Sequence, residues 1–385
     1  MLHRSALTPQ LLLTLALLAW GLVPGGLALG RPMRLRDALA SDLMSKADYE
    51  RMERGYYEQI LDSGRQLGSP AGEAPAGSNK GGWAHLDTPP FEAGPLALVV
   101  DDIREFVLKP SLSIIHDGAS WSTNAEGMRD RDYPKAKPPQ TYRMAFVGDS
   151  IGAGWGVDDG KGFEPTLEQM LDERSRQAGG PAVEILNFAV PGHGPGQRWE
   201  HFSRNGWAYQ PDFLIYEATL ADAGWDERRL RGLLPRGVGW DVPFYREVLA
   251  LSKAQPGGTM DSYKKVLKPF RMEFLAGVYR AIASGCRSRG VPVVWILVPR
   301  VGKPAEPEER RKLIDLARES GFAATIDLSD AYDGLDPQDL AIGPKDYHPN
   351  AEGHALLAHR LDEALRRLPQ WRQPGPTGTG GGQRP

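Results

Sequence analysis

Residues 142–156 read Tyr-Arg-Met-Ala-Phe-Val-Gly-Asp-Ser-Ile-Gly-Ala-Gly-Trp-Gly. The first part, Tyr142–Val147, is mostly apolar and of strand length, and predicts a buried strand. Glycines at 148, 152, 154 and 156 then break the strand. A serine directly after a buried strand and flanked by glycines can present a nucleophile on a sharp turn, where its own N–H can help hold an oxyanion. The same string also describes a plain Gly-rich turn with a satisfied hydroxyl. A dinucleotide or phosphate loop fits poorly, because the Gly-x-Gly-x-x-Gly spacing fails and no P-loop lysine follows.

The sequence on either side of this stretch places the serine in a fold. Strand patterns recur at Val183–Val190, Phe213–Ala218, Val291–Val298 and Ala324–Leu328. Helical patterns fall between and after them at Phe163–Arg176, Gln197–Trp207, Tyr263–Arg289, Pro307–Ser320 and Ala351–Leu368. Strands alternating with helices imply parallel βαβ units. The expected fold over residues 141–370 is therefore α/β, a three-layer α/β/α sandwich around a five-stranded parallel sheet. In such sheets ligands sit at the carboxyl ends of the strands.

Chemistry-bearing residues gather at those ends. The second strand leads into Asn187-Phe188-Ala189-Val190-Pro191-Gly192-His193-Gly194, and the third into Thr219-Leu220-Ala221-Asp222. Far downstream stands Asp346-Tyr347-His348-Pro349-Asn350-Ala351-Glu352-Gly353-His354. A histidine at a loop–helix junction, just after an acid, is placed to act as a general base. The acid would fix its tautomer and stabilise the imidazolium. His193 reads as a loop histidine. Asp346, His348 and His354 lack the cysteines or the helical His-Glu-x-x-His of a metal site, so neither metal nor cofactor is expected.

Taken together, these residues resemble the SGNH/GDSL hydrolase superfamily of serine esterases, lipases and carbohydrate deacetylases. The resemblance spans roughly residues 141–370. It rests on Gly148-Asp149-Ser150, on Gly192, and on His348-Pro349-Asn350 with Gly353. It implies a flavodoxin-like SGNH hydrolase fold in which Ser150 is the nucleophile, His348 the base and Asp346 its acid. It also implies an oxyanion hole built from the N–H groups of Ser150 and Gly192 and a third-block asparagine. Members with the lead-in Asn124-x-x-Gly127-Met128-Arg129-Asp130 are often exported bacterial proteins. The Gly-x-Ser-x-Gly elbow of α/β-hydrolases also matches Gly148, Ser150 and Gly152. That fold fits less well, because Ser150 ends the first strand and Asp346 and His348 are near neighbours.

Two blocks depart from the family pattern. Counting from Pro211-Asp212 puts Ala221 where the asparagine is usual and Thr219 where a glycine is, so the side-chain donor is missing. Thr219 or the N-terminal segment is the expected source of a substitute. The family's acid usually stands three residues before the histidine, where this chain has Lys345. Asp346 stands two before, and would reach His348 if the turn is one residue tighter.

The chain has 385 residues, with 46 Lys+Arg against 49 Asp+Glu and a net charge of −3. That balance argues against a nucleic-acid-binding surface. The single cysteine, Cys286, excludes an intrachain disulfide and a cysteine-based zinc cluster and reads as a structural thiol. Residues 1–30 combine Arg4, an apolar run over Leu11–Val23 and a break at Pro24-Gly25-Gly26 before Ala28-Leu29-Gly30. This predicts a cleaved signal peptide and a secreted or periplasmic protein, with a membrane anchor as the alternative. Residues 31–140 form an N-terminal extension, helical over 37–66 and linker-like over 67–82, and residues 371–385 a disordered tail. Trp155, Trp207, Trp225 and Trp240 are expected near the catalytic edge.

The expected activity is hydrolysis of an acyl or acetyl ester, with a small-molecule or glycan ester as partner. It involves no nucleic acid, and no stable membrane span after signal cleavage. A second reading keeps the site but transfers the acyl group to a polysaccharide hydroxyl. A third keeps only the fold, as a binding module, because Ala221 and Lys345 break the pattern.

Overall fold

A computed structural model describes residues 94–303, 306–344 and 346–368. The expected signal segment, the helical stretch over 37–66, the linker, the tail and Lys345 lie outside the described residues. The described part begins with two small antiparallel pairs, β1 (Ala97–Val99) with β2 (Phe106–Leu108) and β3 (Ser113–His116) with β4 (Ala119–Ser122). Asp117-Gly118 closes the second hairpin with φ of 49° and 83°, the positive pair that a two-residue turn of this twist demands.

The α/β domain follows: β5 (Thr141–Val147), α1 (Phe163–Gln177), β6 (Ala182–Asn187), α2 (Pro195–Asn205) and β7 (Phe213–Ala218). Four helices come next, α3 (Trp225–Leu233), α4 (Pro243–Ser252), α5 (Met260–Leu267) and α6 (Arg271–Arg287). The chain then forms β8 (Val293–Leu297), α7 (Pro307–Ser320), β9 (Ala324–Asp327) and the short α8 (Pro337–Leu340). An antiparallel pair, β10 (Ala341–Gly343) and β11 (Asp346–Pro349), precedes α9 (Ala351–Arg366).

Five strands pair in the order β6-β5-β7-β8-β9, all parallel, as the alternation predicts. The chain leaves β5 for β6 on one side and returns to β7 on the other. The order therefore reverses at β5, which opens a crevice beyond the carboxyl ends of β5 and β7. Side chains alternate between two cores, as period-2 geometry requires. Met144, Phe146, Phe213 and Ile215 pack against Leu167 of α1 and Leu357 and Leu361 of α9. Val147, Leu214, Tyr216 and Trp295 face Phe202 of α2 and Val278 of α6. Cys286 is buried in this second core, and burial pushes its thiol up to about 12.

The expected long helix over Tyr263–Arg289 is two helices joined by a 3-10 turn at Lys268–Phe270. Pro269 has no N–H to continue the helical ladder. The expected strand Val183–Val190 stops at Asn187, whose side chain accepts the Ala189 N–H at 3.0 Å and turns the chain. The helices α3 and α4 and the four N-terminal strands lack a long periodic pattern, which is why the alternation did not mark them. Among the described residues no helix is long and apolar enough to cross a membrane.

Candidate active site

Ser150 follows β5 on a turn whose bonding is helical: the N–H of Ala153 donates to Asp149 O and that of Trp155 to Ser150 O, both at 2.9 Å. Such a turn leaves its first N–H groups without partners of its own. Side-chain oxygens accept three of them. Glu217 Oε2 accepts from Asp149 N and Gly152 N, each at 3.1 Å, and Asp149 Oδ1 accepts from Ile151 N at 3.2 Å. The Ser150 N–H has no acceptor among the described residues.

Arg198, from α2 and only 2% exposed, ties the strand ends together. It donates to Asp149 Oδ2 at 2.8 Å, to the His193 carbonyl at 2.8 Å, and to the Glu217 carbonyl and Asp222 Oδ2 at 3.0 and 3.1 Å. Burying a guanidinium is costly unless it is paired. Here Asp222 and Asp149 outweigh the burial and hold Arg198 charged.

From the other side, Arg129 of the lead-in donates to the carbonyls of Ala153, Gly154, Val157 and Ser120. Its guanidinium lies 3.9 Å over the Trp121 ring. The lead-in therefore clamps the loop that follows the serine. A cavity of about 320 Å³ lined by Arg129, Asp130, Gly152, Glu164 and Asn187 lies behind this turn; neither Ser150 nor His348 lines it.

His348 reaches the serine from β11. Its Nε2 lies 2.8 Å from Ser150 Oγ, and its Nδ1 2.6 Å from Asp346 Oδ1. The same Asp346 oxygen accepts the His348 main-chain N–H at 2.9 Å. A carboxylate at Nδ1 selects the tautomer in which Nδ1 donates and Nε2 accepts the serine hydroxyl. Burial alone would push the Asp346 carboxyl up. The hydrogen bonds and charge of His348 outweigh it and hold the carboxyl below its ordinary value. No tighter turn is needed: Asp346 and His348 are i and i+2 of an extended strand, so both side chains leave the same face. The terminal block supports this strand. Asn350 caps α9 by accepting the N–H groups of Glu352 and Gly353 at 3.0 Å. A Cβ on Gly353 would lie 2.8 Å from Pro349 Cβ, so the helix start packs directly beneath the histidine loop.

Gly192 belongs to a turn in which the His193 N–H donates to Val190 O at 3.1 Å. With Pro191 before it and a φ of 79°, Gly192 occupies the left-handed corner of a Pro-Gly turn. The Val190 N–H donates to Gly148 O at 3.2 Å, which sets this turn beside the serine turn. At the third strand end, Ala221 sits in a 3-10 turn over Leu220–Gly224. The Thr219 hydroxyl donates to Asp222 Oδ1 at 3.2 Å, so it does not replace the missing amide donor. Burial pushes the Asp222 carboxyl up to about 7 against the pull of Arg198.

The tryptophans divide. Trp155 walls the site, 6.2 Å from the His348 ring, and His116 and Trp121 pack against it edge-on. Trp225 packs against Gly194, beyond the second strand end. Trp240 packs edge-on against Tyr263 among the helices. Trp207 is not at this edge: it packs under Arg289, just before β8, at the amino ends of the strands. His193 and His354 are buried and separate from the reacting groups. His193 Nε2 pairs with the Phe106 carbonyl at 2.8 Å, and His354 Nδ1 accepts the Phe163 N–H at 3.2 Å. Among the described residues no group of acids, histidines or cysteines could hold a metal ion. No motif points to Glu217. Its signal is subtler: a carboxyl inside the otherwise apolar strand Phe-Leu-Ile-Tyr-Glu-Ala needs a partner.

Residues 146–356, more than half of the chain, match the model of the GDSL-like Lipase/Acylhydrolase family. No curated protein matches in sequence. Solved structures similar to the chain include a two-domain esterase (CEX) active on acetylated mannans, at 14% identity and a TM-score of 0.39 over 59% of this chain. The match covers 50% of that chain, so this protein corresponds to half of its length. TesA is similar at 17% identity and a TM-score of 0.38, over 59% of this chain and 99% of its own. The acetylxylan esterase Axe2 from Geobacillus stearothermophilus is similar at 16% identity and a TM-score of 0.35, over 62% of this chain and 98% of its own. With a five-stranded parallel sheet and a family match that runs from the serine strand into the final helix, the chain belongs to the GDSL-like lipase/acylhydrolase family, whose members are carboxylic ester hydrolases.

Proposed function

We propose that the protein is an exported serine esterase that removes an acyl or acetyl group from a carbohydrate or a lipid. One observation carries the reading: Ser150 Oγ, His348 and Asp346 form a continuous hydrogen-bonded line. Ser150 Oγ attacks the ester carbonyl carbon while His348 Nε2 takes its proton. The oxyanion is held by the N–H groups of Ser150 and Gly192. Collapse expels the alcohol, protonated by His348, and leaves an acyl-serine ester. Water then attacks that ester with His348 again as base, which releases the acid and restores the serine. Asp346 keeps the ring oriented and offsets the imidazolium charge. Export is supported by the sequence of residues 1–30.

The test is reaction of the purified protein with a fluorophosphonate probe, followed by mass mapping of the labelled residue. A single adduct on Ser150, lost together with hydrolysis of short aryl esters in Ser150→Ala, is the expected result. An adduct elsewhere, or ester hydrolysis surviving in Ser150→Ala, would overturn the assignment.

A further inference from the structure

Glu217 is a carboxyl in the wrong place for a solvated acid. It stands in the centre of the sheet, 0% exposed, on the same face as Phe213 and Ile215. Its strand neighbour β5 ends directly beneath the Ser150 turn, and the Glu217 side chain reaches up into that turn. The placement of its Oε2 shows how closely it fits. Its Oε2 accepts the N–H groups of Asp149 and Gly152, one on each side of the serine. A Cβ built on Gly148 would lie 1.9 Å from that same oxygen, and one on Gly152 would lie 2.2 Å from it. The carboxyl therefore occupies the space that any side chain at either glycine would need. The two glycines flanking Asp149-Ser150-Ile151 make room for the Glu217 carboxyl and for the Phe146 ring beside it, which a Cβ would approach to 2.7 Å from Gly148 and 2.4 Å from Gly152.

We propose that Glu217 is a positioning residue for the nucleophile. By fixing the N–H groups of Asp149 and Gly152 it sets the serine against His348 and, with Asp149 Oδ1 holding the Ile151 N–H, leaves the Ser150 N–H as the turn's one donor for an oxyanion. This inference rests on the esterase reading of the site.

The protonation state fits the task. Burial first, and then the charge of Asp149, push the Glu217 carboxyl well above its ordinary value, which favours the neutral form. A neutral acid still accepts both N–H groups through its carbonyl oxygen. It adds no second negative charge beside Asp149, where one would oppose an oxyanion forming above. Reach and a carbonyl oxygen are what the position requires, and ionisation is not.

That requirement separates two conservative variants. Glu217→Gln keeps length and carbonyl oxygen and loses the ionisable group. Glu217→Asp keeps the acid and draws the oxygen back by one methylene. Both are compared with the wild-type full chain for hydrolysis of p-nitrophenyl acetate, rate of fluorophosphonate labelling, and amide exchange over residues 147–153.

Glu217→Gln is expected to keep kcat within about threefold, with unchanged exchange, because the amide oxygen accepts the same hydrogen bonds. Glu217→Asp is expected to lower kcat by about 10²-fold with little change in KM, the scale of an ångström misplacement of a reacting group. Labelling should slow in parallel and exchange should quicken. A purely structural residue would lower the thermal midpoint without splitting kcat from KM. Wild-type kcat and exchange in Glu217→Asp would overturn the proposal, as would a fall in Glu217→Gln as deep as in Glu217→Asp. Should Glu217→Asp fail to fold, Glu217→Gln decides alone: wild-type kcat and exchange support the acceptor role, and a loss of both overturns it. A wild-type chain inert to ester and probe alike would remove the esterase reading, while the exchange comparison would still decide whether Glu217 holds the turn.

Discussion

The turn carrying Ser150 rests on buried groups, with Arg198 2% and Glu217 0% exposed beneath it. The strand carrying His348 belongs to a two-stranded antiparallel arm outside the main sheet, and the side chain of Asp346 is 37% exposed there. One half of the site is thus built into the core by strands and a buried ion network. The other is built locally, from three consecutive residues of β11 and a capped helix. Damage to the first half should reach stability as well as rate, and damage to the second should be felt mainly in rate.

The largest expected effect is on Ser150, the proposed nucleophile. Ser150→Ala should lower kcat by about 10⁶-fold, the scale of removing a triad serine, with a thermal midpoint within a few degrees of wild type. The hydroxyl is half-buried and contributes little packing. Next is the base arm. Asp346→Asn should cost up to about 10⁴-fold in kcat through the wrong histidine tautomer, again with little change in midpoint. An acid placed by Lys345→Asp in that background should not restore the rate, since it is Asp346 that pairs with His348 Nδ1. Activity unaffected by Asp346→Asn would show that the serine and histidine work without this acid.

Arg198→Met tests the other half. It leaves Asp149 and Asp222 buried without their cation and should lower the unfolding free energy by about 3–5 kcal/mol, measured by urea titration. A variant as stable as wild type would erase the contrast between the halves. Ala221→Asn should raise kcat by about tenfold, equivalent to about 1.4 kcal/mol of transition-state stabilisation, with KM little changed. A fall in kcat would show that the space above Ala221 already holds another donor.

The smallest effect concerns the buried side of the base arm. Burial, then His348 and Arg129, lower His354 to about 3 from its ordinary 6.5. Because the folded-state value is depressed, the stability this histidine contributes is present above about 6.5 and is lost as pH falls toward 3. The stability gap between wild type and His354→Gln should therefore narrow between neutral pH and pH 5, by at most about 1.4 kcal/mol per pH unit. A gap that stays constant in urea titrations would mean that His354 is not held neutral.

Most of the fold was legible in the sequence because it is written in period-2 and helical patterns. Phe213–Ala218 and Pro307–Ser320 have the expected boundaries. The positions of Ser150 and His348 were legible because strand ends and helix entries carry recognisable residues. What was not legible depends on distance. The reach of Glu217 across from β7 to the serine turn, and of Arg198 among three strand ends, is a tertiary fact with no spacing in the chain. The Asp346–His348 contact was expected from a tighter turn. It comes instead from strand alternation, which a four-residue strand is too short to reveal as a periodicity. Trp207 was placed on the wrong edge because its neighbours in sequence do not say which end of the sheet a helix terminus meets.

The local origin of the acid–base pair has a mechanical consequence. Because Asp346 and His348 leave the same face of β11, their mutual geometry is a property of one short piece of backbone and travels with it. A displacement of the β10–β11 arm as a body would leave the imidazole tautomer and its acid intact and change chiefly one coordinate, the separation of Nε2 from Ser150 Oγ, which is 2.8 Å here. Such a displacement would part the histidine from the serine without disturbing its pairing with Asp346.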